Sequence, residues 1–105
     1  MSQELKQLKQ QMIAVYGIQC WLSGIEDDRL TGHHIIPIRH KGKTTWDNIA
    51  LLSKEQHELF NLIERKDIYI ANQLNDLFYE LNQSFSKPTE DYFREVNKVK
   101  CKFRR

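Results

Sequence analysis

Apolar residues recur every three or four positions from Ile68 to Phe85, at Ile68, Ala71, Leu74, Leu77, Phe78, Leu81 and Phe85. A stripe of that period lies along one face of an α-helix, so this stretch is expected to form a long amphipathic helix, from about Asp67 to Phe85, that buries one side. Ser86-Lys87-Pro88 breaks it, and Thr89 can cap a last helix carrying Tyr92, Phe93, Val96, Val99 and Phe103. The same period runs through Gln3 to Tyr16 at Leu5, Leu8, Met12, Val15 and Tyr16, with Ser2 placed to cap and Gly17 to terminate. These stripes read as core.

The middle of the chain follows another pattern. Ile18 to Leu22 is a short apolar run closed by the turn-forming Ser23-Gly24. Thr31 to Ile38 has the β-branched content of a strand, and Pro37 discourages extending it further. The basic and polar residues from Arg39 to Trp46 read as a loop before a second apolar run, Asn48-Ile49-Ala50-Leu51-Leu52. Ser53 is a good N-cap with Gln56 three residues on, and Leu59, Phe60, Leu62 and Ile63 supply an apolar helix face, which places His57 in the first turn or two. Strand, loop, strand and helix set among packed helices make an α+β fold, mainly helical by residue count. With 105 residues and 40% hydrophobic content, one domain over 1–105 is expected: an N-terminal helix at 1–17, a core at 31–63 and C-terminal helices at 67–105.

Several classes are disfavoured. No apolar run approaches the roughly 20 residues of a membrane span, and Met1-Ser2-Gln3-Glu4-Leu5 has no signal-peptide core, so a soluble cytoplasmic protein without membrane attachment is expected. Cys20 and Cys101 do not make a disulfide framework. A net charge of +2 neither demands nor excludes a polyanionic partner. Distribution says more: Arg39, Lys41 and Lys43 form a basic loop that would attract a phosphate backbone. A second cluster, Lys98, Lys100, Lys102, Arg104 and Arg105, reads equally well as a solvated surface.

The chemistry concentrates in His33-His34, Asn48 and His57, which include three of the chain's four histidines. Neutral imidazole is both a metal ligand and a base near neutral pH. Over Thr31 to Ile63, through His33-His34-Ile35-Ile36-Pro37, a basic loop, Asn48-Ile49-Ala50-Leu51-Leu52 and His57, the chain resembles the HNH endonuclease family, also called ββα-metal or His-Me finger nucleases. The resemblance implies a metal-dependent DNA endonuclease that leaves 3′-hydroxyl and 5′-phosphate ends. His34 then takes the general-base position, and His33 and His57 take metal-ligand positions. Asn48 is the middle asparagine, which either holds the loop through backbone groups or orients the base imidazole. Asn61, four residues after His57, is a weaker oxygen ligand, reaches the metal only through water, or is an exposed polar residue. His40 reads as a phosphate contact or a bystander.

Further expectations follow from the resemblance. The cofactor is one divalent ion, Mg, Mn, Ni or Zn, and the partner is double-stranded DNA contacted through its backbone, with Arg39, Lys41 and Lys43 as the binding residues. A small phage-like member leaves room for a homodimer or a phage protein partner. Adjacent strand residues face opposite ways, so an irregular or curved strand end must bring His33 and His34 to one target. Many family members carry a structural zinc on two Cys-x-x-Cys pairs. Here the corresponding positions read Cys20-Trp21-Leu22-Ser23 and Ser53-Lys54-Glu55-Gln56, so no structural zinc is expected and Cys20 reads as a small buried hydrophobe. Trp21 and Trp46 read as core or loop anchors, with base stacking left open for Trp46. Two alternatives stand beside this reading. One is a catalytically weak or inactive DNA-binding module of the same fold acting with partner proteins; the other is a helical interaction protein with an incidental metal site.

Overall fold

A computed structural model describes residues 3–104 of the chain. In order along the chain come α1 (Gln3–Tyr16), β1 (Thr31–His34), β2 (Ile49–Leu52), α2 (Lys54–Lys66), α3 (Ile68–Ser84) and α4 (Glu90–Lys100), with short 3₁₀ turns at Ile38–His40 and Trp46–Asn48. The architecture is α+β, as the periodicity indicates. β1 and β2 form a two-stranded antiparallel sheet in which Thr31 faces Leu52, His33 faces Ala50 and His34 faces Ile49.

The helix boundaries follow from side-chain chemistry. Ser53 caps α2 by accepting from Gln56 N at 3.4 Å, and Thr89 caps α4 by accepting from Tyr92 N at 3.2 Å. Asp67 caps α3 by accepting from Tyr69 N and Ile70 N. Gly17, at φ +84°, ends α1 with its N–H on Ile13 O, a left-handed position that favours glycine. The cap expected of Ser2 lies outside the described residues.

One apolar core draws on all four helices and on β2: Met12 and Tyr16 from α1, Trp21 and Leu22 from the connecting turn, all of β2, Phe60 and Ile63 from α2, Leu74 and Phe78 from α3, and Val96 from α4. The ends of the α3 stripe depart from the sequence expectation. Ile68 is exposed, and Phe85 sits beyond the helix in a left-handed cap, exposed, with its ring 6.0 Å from Trp46. Phe103 likewise lies past α4, in a turn closed by its N–H on Lys100 O.

β1 is shorter than the expected Thr31–Ile38, and a side chain is the reason. Ile35 N still bonds Asn48 O at 2.9 Å, but the next residue meets an amide side chain: Ile36 N donates to Asn48 Oδ1 at 2.7 Å and Ile36 O accepts from Nδ2 at 3.0 Å. The carboxamide offers the donor–acceptor pair of a peptide group, so the pairing passes from backbone to side chain. The run Ile18–Leu22 enters a turn held by an isolated Gln19–Glu26 bridge and by Trp21 N on Leu51 O at 2.8 Å.

Trp46 anchors its loop by donating from Nε1 to Tyr16 Oη at 3.0 Å. Cys20 and Cys101 are free thiols, the first buried and the second exposed. None of the described helices is long and apolar enough to cross a membrane.

Candidate active site

His33, His34 and His57 line one cleft of about 250 Å³ together with Gly32, Pro37, Ile38, Arg39, Asn61 and Glu64. β1 brings the first two, and the early turns of α2 bring His57 above them. The His33 and His57 rings meet edge to face with centroids 5.4 Å apart. His33 and His34, adjacent on β1 with His34 its last residue, both line this cleft. His33 is buried against Phe60 and Phe78, with Nε2 2.9 Å from Asn75 Oδ1 on α3. His34 turns to the loop, with Nε2 3.0 Å from Thr44 Oγ1.

His57 places Nδ1 2.8 Å from Thr31 Oγ1, whose own proton goes to Leu52 O at 2.8 Å. Each histidine thus has one ring nitrogen held by a neighbour. Among the described residues, Trp21 Nε1 is the one buried side-chain nitrogen or oxygen without a hydrogen-bond partner, so the other nitrogen of each of the three histidines reaches solvent.

Burial shapes their ionisation. His33 is pushed down to about 4, first by desolvation, with the Asn75 bond opposing and the neighbouring histidines adding to the fall. His34 is lowered by desolvation, and His57 by desolvation and then by His34. All three are therefore neutral imidazoles at pH 7, the form that carries an available lone pair.

Asn48 is buried and spends its amide on backbone: besides Ile36, its Nδ2 donates to Lys43 O at 2.9 Å. Of the two roles open to it in the sequence, the structure displays the loop-holding bonds, while His34 bonds to Thr44. The basic loop divides. Arg39 lines the histidine cleft and meets Glu64 at 3.4 Å, whereas Lys41 and Lys43 line a neighbouring cleft of about 340 Å³ with Gly42, Asn48 and Tyr79. His40 is exposed and outside both linings.

The second basic cluster is largely tied down: Lys98 bonds Glu95, Lys102 bonds Gln73, and Lys100 bonds Leu22 O and Gln56 Oε1 at 3.2 Å each.

Four contributors escaped the sequence reading. Glu64 lies seven residues after His57 and three after Asn61, a helical spacing that was available as a signal. Asn75 sits between Ala71 and Phe78 at the same spacing, a polar residue within an apolar stripe. Thr31 and Thr44 gave no sequence signal, since each acts through a tertiary contact.

A sheet of two strands and the helix that follows, with imidazoles from both gathered at one cleft, define a ββα site. Residues 18–58 match the family model of the HNH endonuclease, and over this segment the chain is similar to that family. The match includes His33, His34, Asn48 and His57 and ends before Asn61, Glu64 and Asn75. No curated protein and no solved structure matches the chain.

The family's cofactor, a divalent metal, can be tested against the donors present. No three His, Cys, Asp or Glu side chains among the described residues are grouped to hold an ion. Two neutral imidazoles with solvent-facing nitrogens and the Asn61 amide remain at the cleft. That set fits an open coordination site completed by water and substrate oxygens, and does not fit a closed structural one.

Proposed function

We propose that the chain is a metal-dependent endonuclease that hydrolyses DNA phosphodiester bonds with His34 as general base. The observation that carries this reading is the arrangement at the cleft: three neutral histidines, each with one ring nitrogen held and the other open to solvent. His33, His57 and Asn61 would hold the divalent ion, which when bound supplies Lewis-acid stabilisation of charge on the phosphoryl and leaving oxygens.

The chain's own residues do the rest. His34 takes a proton from water as its oxygen bonds to phosphorus, the bond to the 3′ oxygen breaks, and that oxygen takes a proton from solvent, leaving 3′-hydroxyl and 5′-phosphate ends. Asn48 fixes the loop between the strands, and with it Thr44 against His34. Arg39 lies at the cleft for a backbone phosphate, and Lys41 and Lys43 extend the basic surface beside it.

The test is nicking of supercoiled plasmid with Mg, Mn, Ni and Zn, using wild type, His34→Ala and His57→Ala, with EDTA as control. His34→Ala is expected to abolish turnover and keep metal binding, and His57→Ala to weaken metal binding. Equal nicking by all three proteins overturns the mechanism. The two-imidazole donor set also favours a second reading, a catalytically weak DNA-binding module. Tight DNA binding with no nicking in any metal selects it.

A further inference from the structure

The hydrogen bonds around the two candidate ligand histidines fix where their protons lie. A threonine hydroxyl has one proton, and Thr31 donates its own to Leu52 O at 2.8 Å. Towards His57 Nδ1, also at 2.8 Å, Thr31 Oγ1 can therefore only accept, so Nδ1 carries the ring proton and Nε2 the lone pair. On His33 the logic runs the other way. Asn75 Oδ1 is a carbonyl oxygen that only accepts, so Nε2 carries the proton and Nδ1 the lone pair. Both lone-pair nitrogens reach solvent, because neither has a protein partner and neither is a buried orphan. The register that sets Thr31 opposite Leu52 makes the first lock, and the packing of α3 behind the sheet makes the second.

We propose that Thr31 and Asn75 are positioning residues that hold opposite tautomers in the two histidines, so that His57 offers Nε2 and His33 offers Nδ1 to the cleft. Imidazole left to itself favours the Nε2–H form, so Thr31 holds His57 in the less common tautomer. Without it His57 would revert and place a proton where a lone pair is wanted. Asn75 holds the favoured tautomer of His33 and fixes the ring's rotation between Phe60 and Phe78. The purpose assigned to the two nitrogens rests on the nuclease reading; the tautomers do not.

Long-range ¹H–¹⁵N spectra of the metal-free protein at about pH 8, above the ordinary histidine range, read the tautomers directly. Wild type is expected to show His57 as Nδ1–H and His33 as Nε2–H. Thr31→Val should move His57 to the Nε2–H form, and Thr31→Ser should keep it as Nδ1–H. In calorimetric titrations with Ni²⁺, Thr31→Val and Asn75→Leu should lose about 10- to 100-fold in affinity, with Thr31→Ser and Asn75→Asp returning most of it.

An Nε2–H His57 in wild type, or one unchanged by Thr31→Val, overturns the proposal. Should the valine variant fail to fold, the wild-type spectrum and the serine variant still decide. Expected tautomers in a protein that neither binds Ni²⁺ nor nicks plasmid overturn the nuclease reading alone. The reverse tautomers in a protein that nicks overturn this inference alone.

Discussion

Asn48 shows how one side chain can fix a site without touching the reaction. Its carboxamide replaces a peptide group opposite Ile36 and also holds Lys43 O, so both ends of the basic loop hang on one residue. Asn48→Ala strips partners from one N–H and two carbonyls and should cost about 2 to 3 kcal/mol in urea unfolding. Asn48→Asp keeps the acceptor for Ile36 N but sets a carboxylate against two carbonyl oxygens, and should be destabilised as well. Amide exchange separates this from a role in orienting the base: in Asn48→Ala the Ile36 N–H should lose protection, whereas Asn48→Asp, which keeps its acceptor, should retain more of it. Protection equal to wild type in Asn48→Ala would mean that the loop is held by something else.

At the scale of elements, the segments that need bracing are the turn at Cys20 and the start of α2. Cys20 Sγ accepts from Leu22 N at 3.5 Å and Ser53 N at 3.3 Å, so the thiol joins the two as an acceptor and is more than a buried hydrophobe. Lys100, from the last turn of α4, adds its ammonium between Leu22 O and Gln56 Oε1. A lysine cation thus bridges the two segments that paired cysteines and a zinc ion brace in the relatives described above. Lys100→Met should lower stability by about 1 to 2 kcal/mol, after allowance for its partial exposure. Lys98→Met, which loses an exposed pair with Glu95, should change it by less than about 0.5 kcal/mol. Equal melting temperatures for the two variants would remove the bridging role.

The helices were legible in the sequence because a 3.6-residue period and capping residues such as Ser53, Asp67 and Thr89 are local signals. The end of β1 was hidden because it depends on where the side chain of Asn48 goes. Of the site, the three histidines could be found by residue type. Their partners Thr31 and Thr44 could not, since each meets its histidine only once the chain has folded, and Asn75 showed only as a polar residue within the apolar α3 stripe, with nothing local to pair it with His33.

At the scale of the whole molecule, the site draws on folding stability. His33 is buried as a neutral imidazole with its value held at about 4, against an ordinary value of 6.5. Between those two values the unfolded chain binds a proton at this residue that the folded chain refuses. Stability therefore rises with pH through that window and is lost as pH falls through it. By linkage the loss at pH 5 is about 2 kcal/mol, approaching about 3 kcal/mol at pH 4 and below. His34 and His57 are lowered too, and they push in the same direction.

Urea unfolding in EDTA at about pH 7.5 and pH 5 tests this linkage, with EDTA keeping metal binding out of the balance. Wild type should lose at least about 2 kcal/mol between the two conditions. His33→Gln places an uncharged amide against Asn75; it should start less stable but lose markedly less on acidification, because the group that charges has gone. Parallel losses in the two proteins would show that the acid sensitivity arises elsewhere. A smaller loss in the variant would mean that burying a neutral imidazole behind Phe60 and Phe78 makes the fold sensitive to mild acid.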